Sequence, residues 1–153
     1  MIRVDVQQAD FDVGAELDAL RAGNGRVGGV VSFVGTVRDL GGERAIESMT
    51  LEHYPGMTER SLTAICEQAA QRWTLEAIRV IHRVGELRAL ERIVLVAVAS
   101  RHRGEAFQAC EFIMDYLKTQ APFWKKESGP GGSRWVDARD SDDHAARRWD
   151  ERG

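Results

Sequence analysis

A continuous apolar run at residues 93–99 (IVLVAVA) constrains the fold of this chain more than any other segment. An unbroken apolar run rich in β-branched residues predicts a strand that is covered on both faces and lies inside a sheet. Apolar residues then recur at helical spacing from about Gly104 to Lys118, and Pro122 predicts the end of that helix. The chain is therefore expected to contain a sheet with residues 93–99 near its centre, followed by a helix.

The rest of the chain predicts further strands and helices. One helix is expected to begin after Asp10 or Asp12, and another, which carries Cys66, after the turn at residues 55–56. Alternating residues at 78–84 predict a half-buried strand. The other predicted strands are 2–6, 27–37, 46–53, 123–127 and 134–138, and the last two form a hairpin around 129–132. Three helices among roughly seven strands indicate an α+β fold.

Length and charge limit the classes of protein to which the chain can belong. The 153 residues are expected to form a single domain over residues 1–140, followed by a charged tail at 141–153 that is either a short helix or frayed. A net charge of −3 argues against bulk electrostatic binding to nucleic acid. No apolar run approaches the length of a membrane span and the N-terminus lacks a signal-peptide core, so the expected compartment is the cytoplasm.

The two cysteines, Cys66 and Cys110, have neither metal-binding nor redox spacing. Each lies among apolar residues that recur at helical intervals. Both thiols are therefore predicted to be small core residues. The chain then has no obvious sulfur nucleophile of its own.

Lysine is confined to one short stretch of the chain. Of the 21 basic residues only Lys118, Lys125 and Lys126 are lysines, whereas every other one is arginine. An ammonium can lose its proton when it is desolvated or placed beside another cation, whereas a guanidinium stays charged. Strand alternation puts Lys125 and Lys126 on opposite faces, and the short turn after Lys118 can bring that residue near Lys125. The stretch is either an acid/base site or a solvated patch left by codon bias toward arginine, and Lys118 can also simply complement the helix dipole.

A basic cluster at residues 101–104 (RHRG) lies where the central strand meets the following helix. Free backbone N–H groups at a helix N-terminus favour anions, so the cluster is a candidate phosphate site. Arg38 and Arg139, which each follow a predicted strand, are further candidate anion ligands, although for each alone a surface arginine is the better explanation. No two histidines have metal-ligand spacing, and no glycine pattern matches a P-loop or a dinucleotide fingerprint.

Five blocks of the sequence resemble the large, catalytic subunit of molybdopterin synthase, the MoaE family. The blocks are 51–59 (LEHYPGMTE), 81–87 (IHRVGEL), 112–119 (FIMDYLKT), 121–127 (APFWKKE) and 134–139 (RWVDAR). They follow the family's order from about Val27 to Trp149. The N-terminal strand and helix are compatible with the family but less distinctive.

The resemblance implies an α/β-hammerhead fold with an additional antiparallel sheet, in a homodimer that forms the core of a heterotetramer. Each subunit would bind a small ubiquitin-like partner that ends in Gly-Gly. The C-terminal thiocarboxylate of that partner would enter the active site and donate sulfur to cyclic pyranopterin monophosphate. Two transfers would open the cyclic phosphate and create the dithiolene of molybdopterin. The resemblance implies no metal and no cofactor.

The resemblance also assigns roles to individual residues. The two active-site lysines of the family fall on Lys118 and Lys125. Its substrate- and anion-binding positions fall on Thr36, Val37, Arg38, His102, Arg103, Lys126, Glu127 and Arg139. In the family dimer, the segment with His102 and Arg103 is expected to serve the pocket of the neighbouring subunit.

The chain departs from the family at two places, neither of which removes a residue that the chemistry needs. The loop at residues 39–43 lies where the family varies, and Gln120 stands where a basic residue is common. A competing hypothesis is a non-catalytic scaffold that binds a phosphorylated metabolite or the C-terminus of a partner. The presence of both Lys118 and Lys125 favours the enzyme.

Overall fold

The computed structural model describes residues 1–39, 47–136 and 140–151, which form eight strands and four helices. In chain order these elements are β1 (Ile2–Gln7), α1 (Val13–Arg21), β2 (Gly29–Thr36), β3 (Ser48–His53), α2 (Met57–Arg72), β4 (Ala77–Arg83), β5 (Gly85–Arg88), β6 (Arg92–Ser100), α3 (Arg103–Gln120), β7 (Phe123–Gly129), β8 (Gly132–Val136) and α4 (Asp140–Glu151). Among the described residues, no helix is both long enough and apolar enough to cross a bilayer.

The first sheet, sheet A, has the strand order β1-β4-β6-β2. Strands β1 and β4 are parallel, and the other two pairs are antiparallel. The predicted central run lies in β6, an interior strand whose residues from Val94 to Ser100 are all buried. Alternate residues of β6 face opposite cores: Val96 packs with residues of α2 and α3, and Leu95 packs with residues of α1 and the segment before it. The predicted covering of both faces is confirmed.

Strand β4 is buried along its whole length, so the prediction of a half-buried strand was wrong. Helix α1 covers the face of β4 that carries Arg79 and Arg83, which the sequence pattern predicted to be exposed to solvent. Arg79 points into that layer, where its guanidinium lies 2.8 Å from Asp5 and 2.9 Å from Glu16. Because two carboxylates at the edge of this layer neutralise the charge, an arginine at this position does not mark an exposed face.

The second sheet, sheet B, is antiparallel throughout and has the order β5-β3-β7-β8. The predicted hairpin is its β7–β8 pair, in which Gly132 adopts a φ of 100° that favours glycine. A small core joins the two sheets and contains Val37, Met49, Leu51 and Leu87. The predicted α+β class with an additional antiparallel sheet is confirmed.

Helix α4, beyond the three predicted helices, covers most of the segment expected to be a charged tail. Trp149 is only 2% exposed and packs edge-on against Trp73 and Phe112. Its indole nitrogen donates to Asp115 of α3 at 2.6 Å, and Arg148 reaches the same carboxylate at 2.6 Å. Of the two alternatives for this segment, a helix is therefore observed, and it contributes to the main core.

Candidate active site

The three lysines lie at the end of α3 and on β7. Lys118 is exposed in the last turn of α3. Lys125 and Lys126 are half-buried on β7, opposite Leu51 and Thr50 of β3 respectively. The Lys125 ammonium lies 3.8 Å from Glu127, two residues along the same face, whereas the Lys126 ammonium lies 6.0 Å from the ring centre of Trp135 on β8. The predicted separation of Lys125 and Lys126 onto opposite faces is confirmed.

A short, half-buried turn connects α3 to β7 and sets where the lysine-bearing strand begins. The hydroxyl of Thr58, at the start of α2, donates to the carbonyl of Pro122 at 3.0 Å and accepts from the backbone N–H of Tyr54 at 2.9 Å. Thr58 is completely buried. Its hydroxyl therefore holds the turn between Lys118 and Lys125 in place through both of its hydrogen-bonding functions.

His82 lies at the point where α3 ends and β7 begins. Its ring stacks on that of Phe123, with centres 3.8 Å apart and planes inclined by 20°. Burial lowers the pKa of His82 from 6.5 to about 4, and the charges of Lys118 and His53 act in the same direction. The hydrogen bond to the Arg83 carbonyl opposes them. The imidazole is therefore neutral at pH 7.

We expect the stability of the protein to fall as the pH drops from 6.5 to about 4. The pKa of His82 is lower in the folded state than in the unfolded state, so within this window the unfolded chain binds more protons and acidification favours it. The loss should be on the order of 3 kcal/mol. Denaturant unfolding at several pH values should show this loss in the wild type and a flatter profile in His82→Phe. Equal profiles in the two proteins would contradict the assignment.

Residues 36–38 are the last residue of β2 and the two that follow it, and they lie beside sheet B. Val37 is 2% exposed and packs with Leu51, the cross-strand neighbour of Lys125. Its backbone N–H donates to the carbonyl of Glu91 at 2.9 Å, and its carbonyl accepts from Leu90 at 2.8 Å. Val37 thus anchors the segment, while Thr36 and Arg38 are exposed on either side of it.

His102 and Arg103 lie at the opposite end of sheet A from Arg38. His102 is the N-cap of α3 and Arg103 is its first residue, and both are exposed. From Arg103 to Lys118 the helix rises about 22 Å. Along β2, Gly29 pairs with Ser100 and Thr36 pairs with Arg92, which gives a similar separation of about 23 Å. One chain therefore does not bring Arg38, His102 and Arg103 together.

The basic cluster is fixed by close backbone packing. Gly28 donates its N–H to the carbonyl of Ser100 at 2.9 Å, and a Cβ at Gly28 would lie 2.0 Å from the Arg101 carbonyl oxygen. Only glycine fits there without movement of the segment. Arg101 lies 3.7 Å from Glu76, so its guanidinium is directed to an ion pair. All four residues of the cluster are exposed, and within the described part of the chain neither His102 nor Arg103 forms an ion pair.

Glu127 and Arg139 are the two predicted site residues that remain. Glu127 lies between two cations, with Arg134 at 3.8 Å on one side and Lys125 at 3.8 Å on the other. Arg139 lies outside the described residues. Within the described ranges, no group of three or more His, Cys, Asp or Glu side chains could hold a metal ion.

Thr58 carries no sequence signal of its role, and the strand pattern around His82 predicted only a structural role for that residue. One signal for His82 was present in the sequence. Ile78, Val80 and His82 occupy alternate positions, so His82 lies on the same face of β4 as these two core residues. Its contact with Phe123 depends on how the two sheets meet, and no local pattern reports that arrangement.

Both cysteines are buried core residues, as predicted. Burial raises the pKa of Cys66 and of Cys110 to about 12. Neither thiol is a nucleophile at pH 7, so any sulfur handled at this site has to come from another molecule.

Comparison with known proteins identifies the family. The family described as MoaE protein matches residues 6–120. A molybdopterin synthase catalytic subunit from Ralstonia nicotianae is 61% identical over 149 residues, which cover 97% of this chain and 85% of that protein. The structure of a molybdopterin biosynthesis MoaE protein from Burkholderia ambifaria superposes with a TM-score of 0.85 at 53% identity, covering 98% of this chain and 99% of that one.

A more distant structure has the same architecture. Molybdopterin synthase from Staphylococcus aureus matches with a TM-score of 0.80 at 30% identity, covering 86% of this chain and 95% of that one. The family match spans most of the chain, and the relatives match it over nearly their full length. The chain therefore belongs to the MoaE protein family.

Proposed function

We propose that this chain transfers sulfur from the C-terminal thiocarboxylate of a small ubiquitin-like partner to cyclic pyranopterin monophosphate, with Lys118 and Lys125 as the catalytic amines. The chain belongs to the MoaE family, and its relative from Ralstonia nicotianae is a molybdopterin synthase catalytic subunit. The chain is therefore a catalytic subunit of the same kind, a sulfur-transferring enzyme of molybdenum cofactor biosynthesis. The observation that carries the lysine assignment is the meeting of α3 and β7 at His82 and Phe123, which brings the two lysine-bearing elements to one place.

The chemistry needs an external sulfur atom and a group that handles protons. The thiocarboxylate sulfur forms the new carbon–sulfur bond to the pterin, and hydrolysis of the acyl–sulfur bond releases the partner as a carboxylate. The oxygen that leaves the pterin has to be protonated. An ammonium group can donate that proton and also attract the anionic thiocarboxylate, whereas a guanidinium can perform only the second task. Glu127, 3.8 Å from Lys125, orients that ammonium.

We infer that the phosphate of the substrate is held by residues from two subunits. Arg38 lies at the end of sheet A that adjoins sheet B. His102 and Arg103 lie at the other end of sheet A, more than about 20 Å away. In sheet A, β2 is an edge strand, and Phe33 on it is 42% exposed. Two β2 edges that met antiparallel about a twofold axis would bring His102 and Arg103 of one subunit toward Arg38 of the other. Such a homodimer would complete two equivalent pockets.

The partner belongs to the same proposal. A Gly-Gly terminus is narrow enough to enter a confined site, because it carries no side chains. The anionic thiocarboxylate at its end suits a pocket in which ammonium groups supply the positive charge. Two partner subunits on one homodimer would make a heterotetramer.

Reconstitution with an isotope-labelled partner tests the proposed function. The partner would carry sulfur-34 in its thiocarboxylate, and mass spectrometry would follow that label during a single turnover with the cyclic substrate. We expect both dithiolene sulfurs to carry the label and the enzyme itself to carry none. Binding of partner and substrate without transfer would favour a scaffold over an enzyme.

We expect the double variant Cys66→Ala/Cys110→Ala to transfer sulfur at the wild-type rate. Both thiols are buried and protonated, so their removal should cost only packing, about 1 kcal/mol of unfolding free energy at each site. Single-turnover rates and chemical denaturation measure the two effects. A persulfide on either cysteine during turnover would overturn the idea that the sulfur is imported.

A further inference from the structure

His82 is a buried titratable group to which the proposed sulfur chemistry gives no role. Its side chain shares a face of β4 with Ile78 and Val80, the face that α2 and α3 cover. It pairs across the sheet with Val94, near the end of β6 that lies opposite the C-terminus of α3. Strand parity and helix direction therefore place this ring beneath the last turn of α3, which carries Lys118.

Two contacts fix the ring and its tautomer. The ring stacks on Phe123, and its Nδ1 lies 2.9 Å from the carbonyl oxygen of Arg83. A carbonyl only accepts hydrogen bonds, so Nδ1 carries the hydrogen. In a neutral imidazole the other nitrogen, Nε2, is then an acceptor with a free lone pair.

The charged and titratable groups that face His82 come from two neighbouring elements. Lys118 approaches from α3 and His53 from β3, and both disfavour a proton on the ring. The backbone carbonyl of Arg83 is the contact that favours one. Burial outweighs that hydrogen bond, so the ring is uncharged while it lies within electrostatic range of Lys118.

We propose that His82 is a positioning residue that sets Lys118 against Lys125. In this role its Nε2 would accept from the Lys118 ammonium, while its observed stack on Phe123 ties the same ring to the strand that carries Lys125 two residues later. This inference rests on the proposed function, in which both lysines act on one substrate. A neutral acceptor orients an ammonium without adding a competing charge. Because the His82 ring is held by both Phe123 and the Arg83 carbonyl, it leaves little freedom in the distance between Lys118 and Lys125.

The variant His82→Phe tests this role, because phenylalanine keeps a ring to stack on Phe123 but has no nitrogen. The chain contains only three lysines, so carbon-13 labelling of lysine gives three resolvable side-chain signals. In His82→Phe the titration of Lys118 should move to lower pH by about one unit, since the ammonium loses an acceptor, and that of Lys126 should not move. In the same variant kcat for sulfur transfer should fall about ten- to a hundredfold with KM unchanged. His82→Gln, which can restore an acceptor, should recover part of the rate.

A matched control separates positioning from stability. Ile81→Ala changes the adjacent residue of β4 on the opposite face, where it packs beside Phe11 and Leu20. That variant should unfold at a lower temperature and yet keep both the Lys118 titration and kcat. If Ile81→Ala lost activity in parallel with its stability, the effect of His82→Phe would be only structural and the proposal would fail.

The lysine titration also separates this inference from the proposed function. An unchanged Lys118 signal in His82→Phe overturns the positioning role, whatever the activity. A shifted signal in a protein whose wild type transfers no sulfur would leave the contact between His82 and Lys118 standing and would refute the proposed function. Should His82→Phe fail to fold, His82→Asn takes its place, because it can keep the donor to Arg83 and lacks the acceptor at Nε2.

Discussion

Replacing Lys118 with alanine should lower the rate of sulfur transfer by about 10²- to 10⁴-fold, the range typical of losing a positioned acid or base. The side chain is exposed at the end of α3, so its removal should leave the fold intact. Single-turnover measurements with a thiocarboxylated partner and the cyclic substrate give the rate, and circular dichroism checks the fold.

The variant Lys118→Arg separates charge from proton transfer at the same position. Arginine keeps the positive charge but does not exchange a proton near neutral pH, so this variant should be nearly as slow as Lys118→Ala. Turnover close to that of the wild type would show that Lys118 supplies only charge. In that case Lys125 would be the remaining candidate for the proton-transferring amine.

Replacing Arg103 with alanine should weaken binding of the cyclic substrate about ten- to a hundredfold, as expected for the loss of a charge-assisted hydrogen bond. Arg103 is exposed at the N-terminus of α3, where the helix dipole adds to its attraction for a phosphate. Affinity for the partner should change little, because the partner contributes a carboxyl terminus to the lysine end of the pocket. Calorimetry with each ligand separately measures both quantities.

Arg26→Ala is a suitable control for Arg103→Ala. Arg26 is also an arginine on the surface, but its guanidinium lies 2.8 Å from Glu76 and is committed to that ion pair. Its removal should leave substrate affinity unchanged. An equal loss of affinity in both variants would mean that the overall positive charge, and not a phosphate site at α3, attracts the substrate.

Much of the fold could be predicted from local patterns. The apolar run in β6 and the helical spacing in α3 extend over enough residues to identify both elements and their order. Strand β5 was missed, because its four residues (GELR) contain no periodic pattern. The burial of β4 was misjudged for a different reason. Its alternating arginines suggest solvent, and their partners come from distant segments, such as Glu16 for Arg79.

The arrangement of the lysines could be predicted from the sequence, whereas the role of His82 and the distance between Arg38 and His102 could not. Strand alternation was enough to separate Lys125 from Lys126, and the short turn after α3 suggested that Lys118 lies near Lys125. The role of His82 depends on its stacking with Phe123, a contact between residues far apart in the chain. The separation of Arg38 from His102 depends on the antiparallel pairing of β2 with β6, and sequence patterns do not reveal which strands pair.

Mixing two impaired variants, assayed at a substrate concentration well below the dissociation constant of Arg103→Ala, tests most directly whether one pocket is built from both subunits. Arg103→Ala keeps Lys118, and Lys118→Ala keeps Arg103. After random exchange of equal amounts, a pocket that draws these residues from different subunits is intact in about one quarter of cases, so about one quarter of the wild-type rate should return. Native mass spectrometry would verify the exchange of subunits. Verified mixed dimers with no recovery of activity would contradict the account, because Lys118 and Arg103 would then belong to the pocket of a single subunit.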